Sequence, residues 1–191
     1  HGEGKPLILL NGIMMSHTSW QIFVDEFSSR NQLILIDFLD QGKSDKMEGT
    51  DYTQKDQVEM LKAFFDEMNY SKISIVGISY GGEVALEFAV KYQEYIDRLA
   101  LFNTSARTTP WLRDLGFGWN ESIDNPVDYY YTTIPIIYSP EFYNSKNDWM
   151  NKRREFLTNN VFNQKPFMDS MYRLTCSAED HDVTDQLGKI K

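Results

Sequence analysis

A serine between two glycines is the part of this sequence best suited to do chemistry. The segment Gly77-Ile78-Ser79-Tyr80-Gly81 follows the apolar run at 73–76 and precedes a stretch of helical periodicity. A serine hydroxyl is a useful nucleophile only when it is exposed, close to a base and near a site that stabilises an oxyanion. A sharp turn from strand to helix would lift Ser79 above the edge of a sheet, and small neighbours let backbone pass close by. The pattern therefore predicts that Ser79 is a nucleophile.

Four short apolar runs, with helical stretches between them, would position this serine. The runs are continuous rather than alternating, which is typical of parallel strands covered on both faces. They lie at residues 7–10, 33–36, 73–76 and 99–102. Apolar residues recur at helical spacing after Thr18, Thr53 and Ser79. Strands alternating with helices predict an α/β fold with right-handed crossovers.

After the fourth run, strand-like segments give way to helical stretches rich in aromatic residues. Residues 107–175 hold 14 of the chain's 27 aromatic side chains. Ser139-Pro140 is typical of a helix start, and 147–162 and 166–177 also have helical patterns. A second hydrophobic core accounts for part of this composition, and a lid over a pocket would add a function to it. The sequence predicts three segments: a core at 1–106, a helical lid at 107–182 and a return toward the core at 183–191.

Composition and charge argue against several classes of partner. The net charge is −9, with 28 acidic and 19 basic residues, whereas nucleic acids and anionic membranes are bound mainly through Lys and Arg. We expect the basic triplet at 152–154 to be a solvated helix face. Mean hydropathy is −0.48, and no apolar run approaches the ~20 residues of a membrane-spanning helix. Cys176 is the only cysteine, so no internal disulfide forms, which fits a cytoplasmic protein.

Further motifs accompany the serine segment. Gly2-Glu3-Gly4-Lys5-Pro6 leads into the first apolar run, and Asn11-Gly12-Ile13-Met14 follows it. Asp37-Phe38-Leu39-Asp40-Gln41-Gly42-Lys43-Ser44-Asp45 follows the second run, and Asn103-Thr104-Ser105 ends the fourth. Together with the segment around Ser79, these motifs resemble the α/β-hydrolase superfamily, over nearly the whole chain.

The resemblance implies an α/β-hydrolase fold with the four strands in the order second, first, third, fourth. It implies a serine hydrolase in which Ser79 is the nucleophile and the backbone N–H groups of Tyr80 and Ile13 form the oxyanion hole. Met14 is the neighbour that could substitute for Ile13, and His17 could face the pocket.

Two positions depart from the family pattern. Asn11 stands where the family usually has a histidine, a position that braces the loop more than it takes part in catalysis. Gln41 replaces the first glycine of the family's Asp-x-x-Gly-x-Gly-x-Ser loop. The assignment of Ile13 to the oxyanion hole depends on the loop that contains Asn11.

None of the three histidines is an obvious base. His1 begins the chain, and His17 is typical of a helix-start surface residue. His181 lies in Glu179-Asp180-His181-Asp182, which is more typical of a solvated loop than of a metal site. We predict neither a metal site nor a cofactor.

In the family the order along the chain is serine, then acid, then histidine. Asn103 lies where some relatives place the acid, and it is not one. We therefore expect the sequence to be truncated at both ends, with the triad acid and histidine beyond residue 191. On this interpretation the fragment by itself has little or no turnover.

The leading hypothesis is a serine hydrolase that acts on a small ester, thioester or related acyl substrate. Carbon–carbon bond hydrolysis, acyl transfer and perhydrolysis use the same serine, and the sequence does not separate them. The alternative is a hydrolase-like protein with impaired catalysis that binds a small molecule, because fold alone does not establish function. In either case the predicted partner is a small molecule rather than nucleic acid or a membrane, and the oligomeric state is open.

Overall fold

The structure, a computed structural model, describes residues 1–191 and divides them into two units. The first comprises His1–Thr108 and Ser177–Lys191, and the second comprises Thr109–Cys176. The division falls close to the predicted segments but moves residues 177–182 from the predicted lid to the first unit. The reason is local pairing: the Thr108 N–H donates to the carbonyl of His181 at 2.8 Å.

A sheet of four parallel strands forms the centre of the first unit. The strands are β1 (Lys5–Leu10), β2 (Asn31–Ile36), β3 (Ile73–Ile78) and β4 (Ile96–Phe102). Their spatial order is β2-β1-β3-β4. This confirms the predicted α/β-hydrolase fold and its strand order.

The central strands are more fully buried than the edge strands. β1 ends in four consecutive buried residues, and one face of β1 packs against Trp20 and Val24 in a cluster with Leu33. In β4, by contrast, Arg98, Ala100 and Phe102 are exposed. The prediction that all four strands are covered on both faces is therefore wrong for β4, because one face of this edge strand has no helix packed over it.

Three α-helices complete the first unit: α1 (Val24–Ser28), α2 (Gln54–Glu67) and α3 (Tyr80–Lys91). α2 begins after Thr53 as predicted, because the Thr53 backbone N–H donates to Asp56 Oδ2 at 2.7 Å and closes a capping box. The segment predicted to be helical after Thr18 instead begins as a 3-10 helix at His17–Phe23, and α1 continues it. α3 packs against β3 and α2.

The second unit is helical. Its helices are α4 (Pro110–Glu121), α5 (Pro126–Ile137), α6 (Pro140–Ser145), α7 (Asn147–Asn160) and α8 (Lys165–Ser177), the last residue of which belongs to the first unit. The predicted start at Ser139-Pro140 is confirmed, since the Ser139 hydroxyl accepts from the Phe142 N–H at 3.1 Å. Tyr129, Tyr130 and Met150 are buried in this unit's own core. Its role as a lid stays a prediction.

The basic triplet on α7 is only partly a solvated face. Lys152 is exposed, but Arg153 and Arg154 are half-buried. The Arg153 guanidinium lies 5.4 Å from the centre of the Trp149 ring, and Arg154 Nη1 donates to the Tyr131 hydroxyl at 2.9 Å. Two of the three cations therefore cover aromatic surface.

None of the helices in residues 1–191 is long and apolar enough to cross a membrane.

Candidate active site

Ser79 forms the turn between β3 and α3 in a strained conformation, with φ 52° and ψ −123°. A positive φ costs a residue with a side chain roughly 1–3 kcal/mol and persists only where its surroundings enforce it. The Ser79 N–H donates to the Phe102 carbonyl at 2.9 Å. The Ser79 carbonyl accepts from the Gly82 N–H at 2.8 Å and from the Thr104 hydroxyl at 2.9 Å. β4, the residues after it and α3 thus hold Ser79 in the geometry of a nucleophile elbow.

Two glycines allow the backbone to pass closely around this turn. A Cβ atom on Gly81 would lie 2.5 Å from the carbonyl oxygen of Leu10 and 2.6 Å from that of Asn11. A Cβ atom on Gly77 would lie 2.6 Å from the carbonyl oxygen of Gly81. These separations are shorter than real side chains adopt. The start of α3 therefore lies directly against the chain leaving β1.

That chain is the loop predicted to supply an oxyanion donor, and it lies beside Ser79. A Cβ atom on Gly12 would be 3.5 Å from the Ser79 Cβ, and the Met15 N–H donates to the Gly12 carbonyl at 3.0 Å to close a tight turn. The Ile13 N–H, inside this turn, has no acceptor among residues 1–191. The Tyr80 N–H is at the first position of α3, where a helix offers no internal acceptor. Both predicted donors are thus available to a ligand.

Hydrogen bonds from Asn11, whose side chain is fully buried, fix the start of this loop. Its Oδ1 accepts from the Trp20 indole at 2.7 Å. Its Nδ2 donates to the Ile36 carbonyl at 2.8 Å and lies 3.2 Å from Gln41 Oε1. Asn11, directly after β1, thus bonds the 3-10 helix that contains Trp20, the end of β2 and the loop after β2 that contains Gln41. These bonds make it a bracing residue.

We expect Asn11→Ala to lower the free energy of unfolding by ~2–4 kcal/mol, because the Trp20 indole and the Ile36 carbonyl would each lose a buried partner. Urea unfolding followed by tryptophan fluorescence measures the change. Asn151→Ala is the matched control, since Asn151 is exposed on α7 and its loss should change stability by ~0.5 kcal/mol or less. A loss below ~1 kcal/mol for Asn11→Ala would contradict the bracing role.

The loop after β2 corrects one assignment made from the sequence. The first glycine of the family's Asp-x-x-Gly motif corresponds to Asp40, whose φ is 66°, and not to Gln41. Asp and Asn tolerate this left-handed region better than most residues. Gln41 is instead buried, and its Nε2 donates to the Gly12 carbonyl at 2.9 Å. It therefore supports the loop beside Ser79 through its side chain.

His17, predicted to face the pocket, is bound to Asp37. Its Nδ1 lies 2.6 Å from Asp37 Oδ2, and its backbone N–H donates to Asp37 Oδ1 at 2.6 Å. Burial opposes ionisation of this carboxyl, but donation from the backbone N–H groups of Lys43 and His17 holds the pKa of Asp37 below its usual value. No hydrogen bond joins His17 to Ser79 within residues 1–191. The structure therefore gives His17 a bracing contact, and Met14 lies half-buried in the same segment.

His181 is not the solvated loop residue that the sequence suggested. Its side chain is fully buried, and Nδ1 lies 2.9 Å from Glu87 Oε1. Within residues 1–191, no group of three or more His, Cys, Asp or Glu side chains is arranged to hold a metal ion. The Asp182 carboxylate accepts from the Thr184 N–H at 2.9 Å, whereas the acid that binds His181 is Glu87 of α3.

The supporting roles of Asp37, Gln41 and Thr104 around Ser79 were missed by sequence reasoning. All three lie in motifs that carry the resemblance, which marks the segments but not the contacts. The contacts of Gln41 with Gly12 and of Thr104 with Ser79 cross 29 and 25 positions of the chain. Such contacts follow from the assembled sheet.

The fold and this geometry define a class of protein, and comparison with known families agrees. Residues 5–188 match the family model described as alpha/beta hydrolase fold, so the chain belongs to that family. Among solved structures, MGS-M2, an alpha/beta hydrolase enzyme from a Medee basin deep-sea metagenome library, superposes with a TM-score of 0.94 at 48% identity. The match covers 100% of this chain and 69% of that one.

Curated relatives carry out different reactions. The cis-3-alkyl-4-alkyloxetan-2-one decarboxylase of Shewanella oneidensis is 32% identical over 116 residues, 57% of this chain and 35% of that protein. The 2-hydroxy-6-oxo-2,4-heptadienoate hydrolase of Pseudomonas putida is 26% identical over 130 residues, 65% of this chain and 47% of that protein. The matched segments thus span less than half the length of these curated relatives.

Proposed function

We propose that the protein is a serine hydrolase that acts on a small ester, thioester or related acyl substrate, with Ser79 as the nucleophile. The observation that carries the proposal is the backbone of Ser79, held at a φ of 52° between a parallel strand and a helix. Such strain persists where the surroundings enforce it and is concentrated at functional sites. A glycine would occupy this turn with less strain, so the serine side chain needs a functional reason.

In the proposed reaction, Ser79 Oγ forms a bond to the acyl carbon, and the bond from that carbon to the leaving group breaks. The proton of Oγ passes to a general base and then to the leaving group, and water later hydrolyses the acyl-enzyme. In this mechanism a histidine serves as the base and an acid orients it, and in the family both follow the serine along the chain. The Ser79 hydroxyl makes no side-chain hydrogen bond within residues 1–191, which leaves it free to bond such a base.

The backbone N–H groups of Tyr80 and Ile13 are proposed to stabilise the oxyanion. Both belong to segments that meet beside the turn, since Gly81 lies against the Leu10 and Asn11 carbonyl oxygens and Gly12 lies against Ser79. Fixed donors of this kind are typically worth ~10²–10³ in rate, because they meet the charge only as it develops. Met14 is the alternative donor if the loop shifts by one residue.

The names of the relatives support a class of substrates, but they do not single out one compound. The two curated relatives act, by their names, on an oxetan-2-one and on a 6-oxo dienoate, and both names denote a carbonyl carbon that a nucleophile can attack. The proposal is therefore an acyl or related carbonyl substrate. The aromatic helices of the second unit are proposed to act as a lid that favours apolar acyl groups.

A serine-reactive fluorophosphonate tests the proposal in the full-length natural protein. Ser79 Oγ should displace fluoride and form a stable bond to phosphorus, which peptide mass spectrometry would locate. Ser79→Ala should abolish the label. Ser71→Ala is the matched control, because Ser71 is exposed just before β3, and it should be labelled like the native protein.

Two results would reject the proposal. Label on a serine other than Ser79 would move the nucleophile elsewhere. A correctly folded full-length protein that takes no label and hydrolyses no ester, yet binds small acyl compounds, would favour the alternative of a hydrolase-like binding protein.

A further inference from the structure

His181 is a buried titratable group in the first unit that the proposed reaction does not use. Its side chain has no exposed surface. Nδ1 lies 2.9 Å from Glu87 Oε1 on α3, and Nε2 lies 3.1 Å from the carbonyl oxygen of Ser105, just after β4. Each ring nitrogen therefore faces an oxygen from a different part of the chain.

The chemistry of these two acceptors fixes how many protons the pair holds. A backbone carbonyl never donates, so Nε2 must carry a hydrogen to bond Ser105. An ionised carboxylate also only accepts, so Nδ1 must carry a second hydrogen. The ring is then an imidazolium. If Glu87 held the proton instead, the His181–Glu87 pair would still contain one more proton than neutral imidazole and carboxylate provide.

His181 belongs to a short paired segment that we call the neck, defined as residues 105–108 and 178–183. Across the neck, the Thr108 N–H donates to the His181 carbonyl at 2.8 Å and the Val183 N–H donates to the Ala106 carbonyl at 2.9 Å. The Thr108 hydroxyl also donates to the Ala178 carbonyl at 2.6 Å. The neck therefore pairs the chain that leaves the first unit with the chain that returns to it.

We propose that the His181–Glu87 pair is a proton-dependent clasp that fastens the neck to helix α3. Loss of the proton leaves one N–H on the ring for two acceptors, so either the contact with Glu87 or the contact with Ser105 must break. The doubly protonated ring is therefore required for His181 to bond Glu87 and Ser105 at the same time. The clasp is independent of the proposed function, since it involves neither Ser79 nor the oxyanion donors.

Other charged groups face the clasp. Glu83, one turn before Glu87 on α3, is half-buried, and desolvation raises the pKa of Glu83 although Gln54 donates to it at 2.7 Å. Burial opposes the charged form of His181, yet the hydrogen bond to Glu87 and the charge of Glu83 raise the pKa of His181 above its usual 6.5. The neck itself also carries Arg107, Glu179, Asp180 and Asp182. The charged groups of the adjoining groove are Lys55, Glu59, Lys91 and Lys189.

The direction of the pH response follows from the upward shift in the pKa of His181. A histidine whose pKa is higher in the folded state stabilises that state fully below the unfolded pKa of about 6.5. The contribution is lost as pH rises through the folded value. The clasp is therefore closed below about pH 6.5 and opens as pH rises through the higher, folded-state pKa of His181.

Nuclear magnetic resonance on the full-length protein, with 15N-labelled histidine, tests the clasp. We expect both nitrogens of His181 to be protonated at and below about pH 6.5, and to lose the second proton only at higher pH. The amides of Thr108 and Val183 should lose about tenfold of their intrinsic-rate-corrected exchange protection for each pH unit above the folded pKa. The Tyr70 amide, which bonds the Phe65 carbonyl at 2.8 Å at the end of α2, is the internal control and should keep its protection.

Glu87→Gln removes the carboxylate charge but keeps the size of the side chain, and its amide oxygen can still accept from Nδ1 of His181. We expect the pKa of His181 to fall by about one unit or more, a tenfold or greater change in proton affinity, and opening of the neck to begin at lower pH. Glu67→Gln, at an exposed position on α2, should leave both unchanged. A pKa of His181 at or below about 6.5, or an unchanged pKa in Glu87→Gln, would overturn the proposal.

Discussion

Ser79→Ala should lower kcat/KM of the full-length protein for short p-nitrophenyl esters by a factor on the order of 10⁴–10⁶. Alanine cannot form the acyl-enzyme, so only the oxyanion donors and substrate binding would continue to accelerate attack by water. KM should change little, because the hydroxyl acts mainly in the transition state. Steady-state kinetics on the purified variant measures both constants.

The same variant should remain folded. The hydrogen bonds that fix the turn use the backbone N–H and carbonyl of Ser79, and alanine keeps both. Ser71→Ala provides the matched control and should retain native kinetics. If Ser79→Ala kept more than about a tenth of native activity, another group would be the nucleophile.

Gly81→Ala should lower the free energy of unfolding by ~3 kcal/mol or more. Its methyl group would lie 2.5 Å from the Leu10 carbonyl and 2.6 Å from the Asn11 carbonyl. Neither can yield without moving the end of β1, and overpacking that forces backbone shifts typically costs ~1–3 kcal/mol and occasionally more. Chemical unfolding, or the soluble yield if the variant does not accumulate, measures the loss.

Gly118→Ala, in α4, makes the same chemical change but should raise the free energy of unfolding rather than lower it. No atom lies within 4 Å of a Cβ built on Gly118 in α4, so the methyl group meets open space. Alanine should then stabilise α4 by ~0.5–1 kcal/mol through its higher helix propensity. Equal destabilisation by both substitutions would show that close approach at Gly81 is not the cause.

The sheet was predictable because its signals are local. Each strand is a continuous apolar run, and each crossover in the first unit has a cap or a helical stripe that a short window contains. The order of the strands came from the resemblance to a family. The open face of β4 could not be read from residues 99–102, since their apolarity indicates a strand but not whether a helix packs over it.

The candidate site was predictable only at its centre. Ser79 and its glycines form one contiguous motif, and the bracing role of Asn11 followed from the resemblance. Gln41 and Thr104 instead acquire their roles from partners 29 and 25 positions away. The burial of His181 was missed for the same reason, because its neighbours in sequence are carboxylates and its partner Glu87 is 94 positions away. The glycine position of the Asp-x-x-Gly motif falls on Asp40 when residues are counted from Asp37, and the positive φ of Asp40 agrees with that register.

The paired neck also gives the helical unit a modular character. The chain leaves the first unit after Thr108 and returns at Ser177, and the Thr108 hydroxyl bonds the Ala178 carbonyl. The two ends of the second unit's segment are therefore adjacent in space, so a change in the length of that segment alters the loop-closure entropy by only about 0.6 kcal/mol for each doubling. Chain ends that lie this close together are the kind of position at which whole domains can be inserted, and residues 109–176 lie between such a pair.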